Sequence, residues 1–133
     1  AFNVISQNST AGIITSNTNW NLSNSPYFIN GNTRINSGVT LTIEPGVEIK
    51  FDNGKVLEIE GTLIARGTSS DKITFTSSAA SPSAGDWGYI KFEDSSTDAT
   101  FDGNGDYSGG SILEHCIVQY GGGLGDILTA GTV

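Results

Sequence analysis

The chain lacks methionine and has only one cysteine, three prolines and two tryptophans in 133 residues. The lone Cys116 excludes an internal disulfide and says nothing about the redox compartment. Charge is scarce as well. Asp, Glu, Lys and Arg make up 15% of the chain, against roughly a quarter in ordinary domains. Basic side chains are the scarcest of these, six against fourteen acidic ones, for a net charge of -8. That balance argues against nucleic acid, whose non-specific affinity comes from Lys and Arg on phosphates. It argues equally against an anionic membrane surface. There is no apolar run of about 18 residues, so no helix is expected to cross or insert into a bilayer. No segment holds apolar residues at i, i+3, i+4 and i+7 for three clean turns, which excludes a long amphipathic helix.

Polarity comes instead from neutral side chains: 16 Ser, 14 Thr and 11 Asn. Glycine is abundant at 18 residues. Ile and Val together number 20, against 7 Leu. Branched side chains suit a pleated surface and lose rotamer freedom in a helix. An all-β chain of one domain is the first expectation. The chain opens at Ala1 with no charged or apolar leader pattern. Either there was no signal peptide or it has been removed, and the neutral surface favours removal and an extracellular or cell-surface protein.

Residues 1–38 read as the most irregular part, with Asn30-Gly31 as a turn. From Val39 the alternation tightens. Val39, Leu41 and Ile43 alternate with Thr40 and Thr42, and Val47, Ile49 and Phe51 with Glu48 and Lys50. Leu57 and Ile59 alternate with Glu58 and Glu60, and Ile73 and Phe75 with Thr74 and Thr76. Residues 77–86 and 94–110 read as long loops, and Ile112 to Tyr120 as one apolar-rich run. About nine short strands with tight turns fit either an antiparallel sandwich or a solenoid. Comparable units begin at Val39, Val56, Tyr89 and Ile112, a spacing in the solenoid range.

The stretch Gly38-Val-Thr-Leu-Thr-Ile-Glu-Pro-Gly-Val-Glu-Ile-Lys-Phe51 resembles the opening coil of secreted right-handed parallel β-helix proteins, the pectin-lyase-like superfamily. Gly61-Thr-Leu-Ile-Ala-Arg-Gly67, Ile73-Thr-Phe-Thr76, Gly85-Asp-Trp-Gly88 and Gly110-Ser-Ile-Leu-Glu-His-Cys-Ile-Val-Gln-Tyr-Gly-Gly122 resemble the same group, in order. The resemblance implies a short right-handed parallel β-helix whose coils stack at about 4.8 Å. Residues 1–38 are then an irregular N-terminal cap, 39–123 the coils and 124–133 a tail. Nothing after Gly123 reads as a C-terminal cap. An uncapped coil offers unpaired backbone groups over an apolar core, which leaves three readings: a fragment of a longer solenoid, a tail folding over the open end, or end-to-end stacking of subunits.

Asp102-Gly-Asn104-Gly-Asp106 is the sharpest local constellation. Oxygen side chains at alternate positions, with glycines between, suit a hard cation such as calcium. The loop is incomplete, with Tyr107 where the turn needs Gly and Leu113 where a bidentate acid belongs. Asp102, Asn104 and Asp106 are the candidate metal ligands, and a plain turn between strands uses the same residues. No cofactor is required. Trp87 and Tyr89, with Trp20, are candidates for stacking on a polysaccharide, with packing over coil corners as the preferred use. His115 and Cys116 are neighbours that point to opposite faces of a strand, which argues against a catalytic dyad. Cys116 is expected inside, with Leu113 and Val118. Glu58, Glu60, Lys91 and Glu93 share a face. In related pectate lyases such a face holds calcium beside an Arg base, but Arg34 and Arg66 sit in no recognisable catalytic motif. A solvated ladder of charges is the preferred use. Thr40/Thr42 and Thr74/Thr76 resemble ice-binding ranks, a reading set aside because Glu58 and Glu60 are expected on the coil between them.

The expectation is a non-catalytic extracellular structural protein that forms homo-oligomers end to end, as a filament or surface assembly. Ile127 and Leu128 are the candidate assembly residues, adding a strand to the next subunit. The alternative is a polysaccharide-binding or adhesive module of a larger protein. A calcium-dependent lyase is the third reading.

Overall fold

Alternation decides which side chains go inside: in an extended strand every second residue faces the same way. The computed structural model describes residues 8–123. Its strands are β1 (Asn8–Ile14), β2 (Thr18–Trp20), β3 (Tyr27–Ile35), β4 (Thr40–Ile43), β5 (Glu48–Phe51), β6 (Leu57–Ile59), β7 (Thr62–Arg66), β8 (Ile73–Ser77), β9 (Ile90–Phe92), β10 (Thr100–Phe101), β11 (Tyr107–Gly109), β12 (Ile112–Glu114) and β13 (Cys116–Val118). Along β4, β5 and β6 the odd-numbered residues Leu41, Ile43, Ile49, Phe51, Leu57 and Ile59 are fully or almost fully buried, and their even-numbered neighbours are not.

Apart from the antiparallel β10–β11 hairpin, the strands pair in parallel. One sheet has the order β13-β8-β5-β3-β6-β9, with β1 also beside β3; the other has the order β12-β7-β4-β2. Besides its ladder with β1, β3 belongs to two others. Its first half pairs with β5 and its second half with β6, so the larger sheet curls. The chain returns to the same line again and again. Ile49 lies beside Tyr27, Phe75 beside Ile49, and Val118 beside Phe75. Leu41, Leu63 and Ala65 from the smaller sheet meet Ile29, Ile35, Ile59 and Phe75 from the larger one in a single core between the two. The protein is thus all-β, mostly parallel and curled, consistent with a β-helix.

The structure corrects several expectations. The irregular cap expected over residues 1–38 is, from Asn8 on, already stacked strand: β1, β2 and β3 carry the same ladders as the coils above them. Asn30-Gly31, read as a turn, is a bend inside β3. There the register slips, with Thr10 opposite Ile29 but Gly12 opposite Thr33. Such a bulge turns a strand without ending it. The run from Ile112 to Tyr120 is two strands, broken at His115, whose φ is 51°. That left-handed residue is a corner between the two sheets. The long loop over 94–110 contains the β10–β11 hairpin. The tail 124–133, with Ile127 and Leu128, lies outside the described residues.

Candidate functional site

Three strands close the stack at one end. β9 has a ladder partner only in β6, β12 only in β7, and β13 only in β8, among the described residues. Among the described residues, no strand lies beside the backbone N–H and C=O groups of their other edges. The residues in core-facing register on these strands are apolar. Phe92 continues the column of Ile35 and Ile59, Leu113 that of Ile43 and Ala65, and Val118 that of Ile49 and Phe75. In the coils below, those positions are sealed. Here Phe92 is 39% and Val118 53% exposed. Ile90, Leu113 and Cys116 pack on the core but stay partly open. A groove of about 540 Å³ runs between them, with Tyr89 and Tyr120 on its walls.

The opposite end is built differently. The first coil puts Asn8, Thr10, Gly12 and Thr18 in register with Tyr27, Ile29, Thr33 and Leu41. Polar groups there are hydrogen-bonded: the Asn8 amide donates to the Asn24 carbonyl, and the Thr33 hydroxyl to Thr10. Trp20 stacks on Tyr27 with ring centroids 4.7 Å apart, and both are buried.

Trp87, a candidate for ligand stacking, is 1% exposed. It stacks on Phe51 at 4.0 Å between centroids, and its indole N–H donates to the Gln119 carbonyl at 2.9 Å. A ring sealed on one face by Phe51 and capped by the last coil cannot take a sugar, so the stacking role is corrected to packing. Trp20 is likewise a core residue. Tyr89 is half-buried beside Glu58, Lys91 and Glu93. Burial, and then the Glu58 charge, push its hydroxyl pKa up.

Asp102, Asn104 and Asp106 fall in the β10–β11 turn, where all three are exposed. One Asp102 carboxylate oxygen accepts the backbone N–H groups of Asn104 and Asp106, at 2.8 and 3.0 Å. That hydrogen bonding accounts for the residue pattern as a turn. No cluster of three or more His, Cys, Asp or Glu side chains forms among the described residues. The Cys116 thiol faces the carbonyls of Ala65 and Glu114. Burial pushes its pKa up, the reverse of an activated nucleophile.

Glu58 and Lys91 do share a face, in one ladder with Arg34. Lys91 pairs with Glu93 at 3.1 Å and Arg34 with Glu60 at 3.7 Å. Thr40 and Thr42 are followed on the next coil by Thr62 and Ile64, not by Glu58 and Glu60. Contrary to expectation, Glu58 and Glu60 therefore do not interrupt the ice-binding rank. The rank still fails, because Ile64 and Ile112 replace threonine on the later coils.

Sequence reasoning missed a clasp on the inserted hairpin. The Arg66 side chain donates to Glu114 at 2.7 Å and lies 4.6 Å over the Tyr107 ring. Arg66 and Glu114 are 48 residues apart and only the register of β7 with β12 brings them together. No local signal exposes such a pair.

An all-β stack of mostly parallel strands that returns repeatedly to the same ladders is consistent with a β-helix domain rather than a sandwich. Residues 12–124 match the family described as pectate-lyase-like beta helix domain, and the chain belongs to that family. No curated protein and no solved structure matches it.

Proposed function

We propose that this chain is a non-catalytic, extracellular structural domain, a right-handed parallel solenoid that associates with copies of itself through the end of its stack. The observation that supports this reading is the end face itself: edge strands β9, β12 and β13 around exposed Phe92 and Val118. Placing another coil on that face buries apolar surface and satisfies edge backbone groups together. Both arginines are engaged with carboxylates, Arg34 with Glu60 and Arg66 with Glu114, which favours a structural over a lytic role. Light scattering with electron microscopy at neutral pH tests the proposal. Particles heavier than 13.9 kDa are expected, and a clean monomer at every concentration overturns it. Deleting residues 124–133 tests the part given to Ile127 and Leu128, where loss of assembly with an intact fold is expected.

The polysaccharide-binding reading retains Tyr89 on the groove wall. A monomeric protein with saturable glycan binding, lost in Tyr89→Ala, would put it first. For the lyase reading, incubation with calcium and acidic polysaccharides is expected to give no new ultraviolet absorbance. A rising trace would make the chain an enzyme.

A further inference from the structure

We infer that Asn104 is a site of self-modification: its side-chain amide is hydrolysed after attack by the backbone nitrogen of Gly105, while the stack protects the other Asn-Gly pairs. This inference is independent of self-association. The Gly105 nitrogen forms a bond to Cγ of Asn104, the Cγ–Nδ2 bond breaks, and the Gly105 amide proton leaves with Nδ2 as ammonia. Water then opens the cyclic imide at either carbonyl, which gives aspartate or isoaspartate. Glycine in second place favours the step because no Cβ obstructs ring closure.

Asn-Gly occurs at 30–31, 53–54 and 104–105. Ring closure needs the glycine nitrogen freed and the backbone turned, so the pair whose opening disturbs least reacts first. Gly31 lies inside β3, and a Cβ there would meet that of Ala11 in β1 at 2.6 Å. The Gly54 N–H donates to the Asp86 carbonyl of the next coil at 2.8 Å. Asp86 in turn accepts hydrogen bonds from Ser77 and Ser83, so Gly54 is released only by lifting that loop. The Gly105 N–H donates to the Asp102 carbonyl at 3.0 Å, a bond within its own turn. Residues 102–106 are all exposed, and nothing lies within 4 Å of where a Gly105 Cβ would stand. Among the described residues β10 and β11 pair only with each other, so opening their turn leaves the core intact. The product adds one negative charge to a chain at -8 and sets it between Asp102 and Asp106.

Cleavage after Lys and Arg separates the three pairs into peptides 1–34, 51–55 and 92–133, and Asn104 is the one asparagine of the last. The full chain is held at mildly alkaline pH, sampled over days, digested and read by tandem mass spectrometry for the amide-to-acid mass gain. Circular dichroism checks that the sample stays folded. The gain at Asn104 is expected to be about tenfold or more faster than at Asn30 or Asn53, since a turn opens more cheaply than a coil. In urea the three are expected to react at similar rates, because glycine follows each. Asn104→Gln is expected to remove the gain from peptide 92–133. Three overlapping rates in the folded chain, or a faster Asn30 or Asn53, overturn the inference. So does an unmodified Asn104 in folded protein over the time in which the chain in urea reacts.

Discussion

Asp86 and Trp87 are neighbours with opposite duties. Trp87 fills the core between Phe51 and the last coil. Trp87→Ala is expected to cost about 3–5 kcal/mol, the range for emptying a large aromatic site, read as a lower midpoint in urea unfolding. An unchanged midpoint would mean the ring is not part of the core. Asp86 ties down the 77–86 loop by accepting the Ser77 hydroxyl at 2.7 Å and the Ser83 N–H at 3.0 Å. The Ser77 hydrogen bond, then that from Ser83, holds its carboxyl below the usual value. A group lowered in the folded state stabilises above its unfolded pKa and loses that contribution as pH falls through its folded pKa. The stability gap between the native chain and Asp86→Asn is therefore expected to be constant near neutrality and to shrink below the ordinary carboxylate range. A gap that does not change down to strongly acidic pH would refute that role.

At the scale of the element, the corners matter more than the strands. Gly61 joins β6 to β7, and a Cβ there would lie 2.2 Å from the Val39 carbonyl oxygen and 2.3 Å from that of Asn36. Backbone cannot yield as a side-chain tip can. Gly61→Ala is expected to destabilise by about 1–3 kcal/mol, as overpacking does, measured by thermal unfolding. The strands from Val39 to Phe75 were legible because branched residues alternate there with Thr, Glu and Lys. β1, β2 and β3 were not, because Asn, Ser and Thr occupy inward as well as outward positions in the first coil, which blurs the period of two. The break at His115 was hidden for a different reason. Ile112, Leu113, Cys116, Ile117 and Val118 look continuous, and nothing in an apolar run announces a left-handed corner.

At the scale of the molecule, the end face formed by β9, β12 and β13 supports the function proposed. A solenoid is stable as far as each coil is covered by the next. The coil at the β9, β12 and β13 end keeps the apolar pattern of the interior, while the first coil mixes Asn8, Thr10, Gly12 and Thr18 with apolar Ile14 and Trp20 in the same register. Added salt gives a further check on the contact. Apolar contact strengthens in sulfate, and surface charge pairs weaken. Self-association is therefore expected to persist or tighten in ammonium sulfate, seen by light scattering, and dissociation on adding salt would assign the contact to charges instead.

The sequence by itself determined the class of this protein. Its branched residues at every second position call for β-strands with one apolar side each, their repetition after short turns fits a sandwich or a solenoid, and the spacing of the repeated units with the family resemblance points to the solenoid. Tertiary structure alone decided that β1 to β3 already belong to the stack, which aromatic rings are sealed and which apolar residues stay exposed among the described residues. Those outcomes depend on register between segments such as Arg66 and Glu114, 48 residues apart. Register is set by how whole faces fit together, so a single segment does not encode it. Trp87 shows the difference. Its neighbours Gly85, Asp86 and Gly88 mark a loop, yet Phe51 below and Gln119 above make it a core residue.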